Sequence, residues 1–519
     1  MNRGLLAGMA LLVAVGLGLR APRLTLRPFH NDEGVGAMNF RRLYVEHDYK
    51  YNPDEFHGPT LAYSTLPAAW VQGGGDFNDF TEATYRGVTV AFGVALILLL
   101  LLLVPEFGRA QTLWAAAFTA LSPAMVFYSR YYIHEMLLVF FTAWTFICSW
   151  RYANFARAPW AVAGGLGLGL MYATKETFVL SLAAMTIAIG TSALWGMLRV
   201  GGASQFQPRW NRWHIVGSLA VAVVVSALFY SSFFTNAAGP LDALRTYLPW
   251  VRRAGGATEH VHPWYFYFQR LLFFHVHGGP VWSEGFIVAL ALVGLCGALR
   301  GNNLLLRVIA FYTVYLTLIY TVLPYKTPWC LLDFYHGMIL LAGAGAVMLW
   351  QACRPVLLKG ALAVILAAGV SHLGWQSWLG NFGADSRGVP YCDSSKNPYV
   401  YAQTLPDALR LVGTVEALAH ASPQGNRTEM EVMSPESFWP LPWYFRRFPN
   451  VGYWDKIPAQ PPAPIMIVST DLHAAFDEAP GKTHLMAGYF ELRPQVFLEL
   501  YVQTNLWAAY VKTLPPEKD

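Results

Sequence analysis

The sequence is poor in charge. Only 13% of its 519 residues are Asp, Glu, Lys or Arg, against 55% hydrophobic, whereas an ordinary soluble domain is about a quarter charged. That excludes a chain folded wholly in water and leaves a membrane class. A dense Lys/Arg run is also missing: the net charge of +5 is spread over short segments, so nucleic acid is not indicated as a partner. Cysteine is scarce. Cys148, Cys296, Cys330, Cys353 and Cys392 show neither CxxC nor zinc-type spacing, which argues against a disulfide framework. No internal repeat, heptad or low-complexity tract occurs, although the PAQPPAP run at 458–464 marks a rigid loop.

What is abundant is apolar sequence in runs able to cross roughly 30 Å of hydrocarbon. They lie near 4–20, 86–104, 111–128, 133–150, 159–173, 177–198, 214–234, 281–299, 305–323, 329–350 and 357–377. The expected fold is therefore mainly α, a polytopic bundle of about 11 transmembrane helices. The first run has one early Arg and no small-x-small cleavage site behind it, so it reads as an uncleaved helix. The fifth, AVAGGLGLGLMYA, is short and Gly-rich, as a helix packed closely on its neighbours tolerates.

Loop charge gives an independent check. With the N-terminus inside, the inner loops carry Arg3, Arg109, Arg151, Arg157, Arg199, Arg209, Arg212, Arg300, Arg307, Arg354 and Lys359 against the single acid Glu106, which satisfies the positive-inside rule. The alternation supports eleven crossings and puts the C-terminal region outside. From about residue 380 the chain turns polar and Pro-rich, with PIMIVST and QVFLELYV reading as buried strands and PDALRLVGTVEALAH as a helix. The expected organisation is a membrane domain over 1–379, with outer loops 21–84 and 235–280, and a small extracytoplasmic α/β domain over 380–519. The chain is expected in the cell (inner) membrane.

Chemically capable side chains collect on the expected outer face. FHNDEGVGAMNF sets Asp32 and Glu33 side by side, two residues after His30. Such a pair must be solvated, paired or bound to a cation, and one acid can serve as a general base. A plain helix N-terminus, with Asn31, Asp32 and Glu33 in the first turn, explains the same residues. SRYYIHEMLL adds Arg130, His134 and Glu135; ATKETF adds Lys175 and Glu176; PYKTPW adds Lys326. Each alone could be an interfacial anchor, but four chain-distant turns on one face can surround one substrate. Carboxylates and imidazoles suit base or metal-ligand work, and Lys or Arg suits phosphate. Arg252 and Arg253 stand in reserve as phosphate partners. The pairs His260/His262 and His275/His277 put two imidazoles on one side of a strand-like segment, which fits metal binding or exposed His among aromatics. Tyr399, Tyr401, Trp439, Trp443 and Tyr444, with Arg446 and Arg447, fit either sugar stacking or an aromatic core.

The ordered set HNDEG, FHGP, SRYYIHE, ATKE, YKTPW, PYVYAQT and WPLPWYF, spanning His30 to about Tyr453, resembles the GT-C membrane glycosyltransferases. Within them it is most similar to bacterial and archaeal members related to family 39, which includes protein O-mannosyltransferases and aminoarabinose transferases. The resemblance implies transfer of a sugar from a polyprenyl-phosphate-type lipid to an acceptor hydroxyl, with inversion, the acceptor being a protein, lipid or glycan. By matching position it implies Asp32 as catalytic base, Glu33 as its assistant, and Glu135 with His134 as the second acidic element. Lys175, Lys326 and Arg130 are then the donor-phosphate partners, and His30, His57, His134 and Glu176 position substrate. A divalent cation (Mg or Mn) held by Asp32, His134 and Glu135 is a further expectation, although the first loop lacks the DxD element that oligosaccharyltransferases use for a metal. A lipid flippase or transporter is the competing class. It calls for polar groups near the bilayer midplane, and the apolar runs carry almost none.

Overall fold

The computed structural model describes residues 3–54, 57–200, 210–256, 260–478 and 481–515. Phe56 of the FHGP segment, Arg209 and the side chain of Arg199 lie outside the described residues. The chain divides into two compact units, Met1–Leu24 with Glu46–Gln72 and Ala83–Tyr401, and Thr25–Val45 with Gly73–Glu82 and Ala402–Asp519.

That division differs from the expected one. The border at 379/380 falls inside the helix Val356–Phe382, residues 380–401 belong to the first unit, and the loop 21–84 is shared between the two. The polar stretch after 380 reads as a solvated domain because its partners are far away in sequence. In the fold, the Trp282 indole donates to the Lys396 carbonyl at 2.7 Å, the Tyr128 hydroxyl to the Tyr399 carbonyl at 2.9 Å, and Lys396 pairs with Asp385 at 2.7 Å.

The first unit is an apolar helical bundle. Among the described residues eight of its helices are long and apolar enough to cross a membrane, nine if a bent pair is counted as one span, and the protein is an integral membrane protein. Each of the eleven expected runs coincides with helix, but Ala158–Tyr172 has 15 residues and Gly285–Arg300 has 16, short of the ~20 that a perpendicular crossing needs. Pro328–Ala352 forms the centre, with 89% of its most apolar window buried. Small residues set the packing around it. A Cβ on Gly294 would collide with the Leu341 carbonyl, and one on Gly345 with that of Leu290, so Gly285–Arg300 and Leu332–Ala352 touch backbone to backbone. Gly165 and Gly169 do the same against Ser218 and Ala222, as the Gly-rich fifth run implied.

The third expected span, 111–128, is broken. Arg109–Leu121 and Pro123–Ser129 meet at 58°, because Pro123 lacks the N–H that would continue the ladder. Freed carbonyls in an apolar bundle need donors. Arg20 supplies them to Thr119 at 2.7 Å and Ala120 at 2.8 Å, and the Ser377 hydroxyl supplies Leu121. On the far side of the break, buried Glu284 accepts from the Ser122 hydroxyl at 2.6 Å and the Ala124 N–H at 2.8 Å.

The second unit carries a five-stranded sheet ordered β2-β1-β3-β5-β4: β1 Met430–Met433, β2 Val451–Trp454, β3 Ile465–Ser469, β4 His484–Arg493 and β5 Val496–Gln503. β1 runs parallel to β2 and β3; β5 is antiparallel to β3 and β4. Alternation sends Ile465 and Ile467 toward Leu411 and Val415 of the helix Asp407–Ala421, and Met466 and Val468 toward Tyr501 on the opposite face. Both segments read as strands from sequence are strands.

Candidate functional site

In the second unit the acidic pair opens the helix Asn31–Tyr44. His30 is its N-cap, accepting from the Asp32 N–H at 3.2 Å, and the Glu33 carboxylate returns to the His30 N–H at 2.9 Å, which makes a reciprocal capping box. Glu33 is fully buried and takes two bonds from Arg27, at 2.7 and 3.2 Å. Asp32 differs: its side chain is 34% exposed. Environment thus separates two neighbouring carboxylates, one locked in the fold and one open to solvent. Burial, offset by the charges of Asp32 and Glu33, holds the His30 imidazole below its ordinary pKa.

The HNDEG and WPLPWYF segments meet inside this unit. A Cβ on Gly34 would lie 2.7 Å from Pro440, the Phe29 N–H donates to the Tyr444 hydroxyl at 2.8 Å, and the Phe29 and Trp443 rings lie 5.1 Å apart. Trp443 is fully buried, flanked by Phe77 and by Arg446 at 3.7 Å over its ring. It is core, not a sugar platform. Tyr399 and Tyr401 belong to the first unit, and the Tyr399 hydroxyl ends on Glu284.

In the first unit, three of the motifs form one polar cluster. Residues 57–60 lie along the turn 173–175: the Gly58 N–H donates to the Thr174 carbonyl at 3.0 Å, the Thr60 N–H to the Ala173 carbonyl at 3.2 Å, and His57 bridges Lys175. Glycine is required at 58, since a Cβ there would collide with the Ala173 carbonyl. From the third motif the His134 Nε2–H donates to the Gly58 carbonyl at 3.0 Å, which assigns its tautomer, and its ring lies 4.8 Å from that of His57. Glu135 pairs with Lys175, both largely buried, and Glu176 faces His57 Nδ1 at 3.5 Å. Burial works against the Lys175 ammonium, but Glu135, with Cys330 and Glu176 behind it, outweighs that and keeps its pKa well above the ordinary lysine value. Burial, with the neighbouring His57 and Lys175, pushes His134 well below the usual imidazole range.

Other expected residues are elsewhere. Arg130 donates to the carbonyls of Arg20 and Pro22, both at 2.7 Å, and of Arg23 at 3.1 Å, so it ties down the end of the first helix. Lys326 is buried, with its ammonium on the Leu323 carbonyl and its N–H on the His260 carbonyl. His260 and His262 share the Tyr401 hydroxyl, at 2.8 and 3.1 Å, as their alternation implied. Arg252, Arg253, His275 and His277 are exposed. His134 and Glu135 are engaged with Gly58 and Lys175, Asp32 lies in the other unit, and among the described residues no three His, Cys, Asp or Glu converge as a cation site. The expected metal set does not fit a resident divalent cation within either unit.

Sequence reasoning missed two buried acids. Glu284 sits where four donors converge: Ser122, Ala124, Tyr335 at 2.6 Å and Tyr399, and burial raises its pKa despite these bonds. Asp333, with His336 a turn later, lies in the central helix. An acid inside WCLLDFYHG was the available signal.

Residues 66–241, about a third of the chain, match the dolichyl-phosphate-mannose-protein mannosyltransferase family. ArnT from Cupriavidus metallidurans, solved bound to undecaprenyl phosphate, superposes with a TM-score of 0.63 at 13% identity over 94% of this chain and 97% of ArnT. The fold is that of the GT-C glycosyltransferases. A second GT-C structure, the Archaeoglobus fulgidus oligosaccharyltransferase tethered to an acceptor peptide, superposes with a TM-score of 0.54 at 13% identity over 88% of this chain and 64% of that one. No curated protein matches the sequence. The family match covers Arg130, His134, Glu135, Lys175 and Glu176, so three of the cluster's charged groups lie in the region matched by that family.

Proposed function

We propose that the protein transfers a sugar from a polyprenyl-phosphate-type lipid to an acceptor hydroxyl, with inversion, on the extracytoplasmic face. The observation that carries this reading is the Glu135–Lys175–Glu176 cluster with His57, assembled from three chain-distant turns of an apolar bundle. It has the GT-C fold, and a structure with that fold was solved with undecaprenyl phosphate.

Asp32, the partly exposed acid of the pair, takes the proton from the acceptor hydroxyl as its oxygen attacks the anomeric carbon. The bond from that carbon to the phosphate oxygen breaks on the opposite side, so the configuration inverts. Positive charge develops on the sugar ring and negative charge on the departing lipid phosphate. Lys175 answers the second of these. Glu135 holds its ammonium in place, and its remaining N–H groups are donors for a phosphate oxygen. Glu33 with Arg27 fixes the helix start that presents Asp32, and His57, His134 and Glu176 fix the turn that presents Lys175. Lys326 is the second proposed phosphate partner.

Purified protein in lipid nanodiscs, given undecaprenyl-phosphate sugars and an extract of acceptors, is expected to release undecaprenyl phosphate. Asp32→Asn should lower turnover by two orders of magnitude or more while donor binding persists, and Lys175→Gln should weaken donor binding. Equal turnover by wild type and Asp32→Asn would sink the assignment of the base; lipid movement without transfer would favour a flippase.

A further inference from the structure

A second polar site lies inside the bundle below the Glu135–Lys175 pair. Helix Glu135–Phe155 carries Thr142 seven residues after Glu135, and helix Phe178–Val200 carries Ser181 six residues after Lys175. Both converge on Asp333 of the central helix. The Ser181 hydroxyl donates to Asp333 Oδ2 at 2.9 Å, whereas Asp333 Oδ1, His336 Nε2, the Tyr312 hydroxyl and the Thr142 hydroxyl are buried without a hydrogen bond of ordinary geometry among the described residues, Thr142 facing Asp333 and Tyr312 facing Ser181. These four groups line one cavity of about 30 Å³, walled otherwise by apolar side chains.

An orphaned carboxylate oxygen, an imidazole nitrogen and two hydroxyls are costly in apolar surroundings. A dry cavity leaves Asp333 Oδ1 and His336 Nε2 without a full hydrogen bond among the described residues. Roughly 10–15 Å³ suffices for one water when two to four polar partners surround it, so this cavity has room for about two, with the partners they need. Charge adds a second reason. Glu135, Glu176 and Asp333 outnumber Lys175, the one cation among them, and the charges of Lys175 and Glu135 act on Asp333. Seven residues of helix separate the two levels by roughly 10 Å, close enough to couple in a low-dielectric medium.

We propose that this cavity is a water-binding site within the bundle, through which Asp333 acts as a positioning residue that sets the charge balance of the Glu135–Lys175 pair. The hydration stands on the cavity alone; the coupling rests on the function proposed above. The groups facing Asp333 are Ser181, Thr142, Tyr312 and Tyr320 from neighbouring helices, His336 on its own helix, and the Glu135–Lys175 pair.

Two measurements on the full chain in nanodiscs decide it. An electron cryomicroscopy map that resolves ordered water elsewhere in the bundle is expected to show density within hydrogen-bond reach of Asp333 Oδ1 and His336 Nε2; an empty cavity in such a map overturns the site. The pH profile of undecaprenyl phosphate binding is expected to move to lower pH by about one unit in Asp333→Asn, because a carboxylate roughly 10 Å away has been removed. Ser181→Ala, which removes the donor on Oδ2, should move it the same way by less, and decides the matter if Asp333→Asn does not fold. A profile superimposed on wild type overturns the coupling. Absence of binding by wild type removes the coupling along with the proposed function, and the map still judges the water site.

Discussion

At the scale of single residues, the fold separates carboxylates that look alike in sequence. Asp32 and Glu33 are neighbours, yet one is a third exposed and the other is buried on Arg27. Capping chemistry explains the difference: the N3 position turns Glu33 back onto the His30 N–H and leaves Asp32 facing outward. Glu135 and Lys175 form the opposite case, a buried pair whose members depend on each other. Lys175→Met should destabilise the protein by about 3–5 kcal/mol, since it strands a buried carboxylate, and Lys175→Met combined with Glu135→Leu should recover much of that; thermal unfolding in detergent checks both. His134 adds a pH dependence. Its folded pKa lies well below its unfolded value of about 6.5, so the unfolded chain binds the extra proton and stability is lost as pH falls from about 6.5 toward the lowered value. Replacing His134 by Gln should flatten that part of the stability profile, read as melting temperature against pH.

At the scale of elements, motif spacing anticipated which turns carry chemistry but not how they are held. The FHGP segment is bonded to the ATKE turn largely through backbone groups that every sequence has, joined by the Thr60 hydroxyl on the Ala173 carbonyl and by His57 facing Glu176. Gly58, pressed against the Ala173 carbonyl, marks the close approach of the two strips. Gly58→Ala is expected to cost about 1–3 kcal/mol and to weaken donor binding, measured by unfolding and by a lipid-phosphate titration; an unchanged melting temperature would show that the strip is not tightly held. The break at Ser122–Pro123 was legible in principle from the proline. What satisfies it was not, because Arg20, Ser377 and Glu284 come from three distant parts of the chain. Glu284→Ala should leave the Ser122, Ala124, Tyr335 and Tyr399 donors without their acceptor and cost about 3–5 kcal/mol, with Glu284→Gln milder; unfolding of the two variants in parallel tests this.

At the scale of the whole molecule, the division into units does not follow chain order. Trp443 has its aromatic partners in Phe29 and Phe77, so a fragment of residues 402–519 alone lacks part of its own core. It is expected to be poorly folded, and adding a peptide of residues 25–45 should raise its helix signal and melting temperature; a fragment as stable without the peptide would refute this.

Hydropathy and loop composition by themselves determined that the protein is an integral membrane helical bundle with a small α/β unit near its C-terminus, because burial in lipid and strand alternation act on local windows of sequence. They also marked the turns around Asp32, Glu135 and Lys175. Only the tertiary structure decided that Glu135 answers Lys175, that Arg130 is held by the carbonyls of Arg20, Pro22 and Arg23, what satisfies the break in the third span, and that residues 25–45 pack with the C-terminal sheet. Each of those depends on which distant groups arrive to neutralise a buried charge or satisfy a freed backbone group, and no local window of sequence contains both partners.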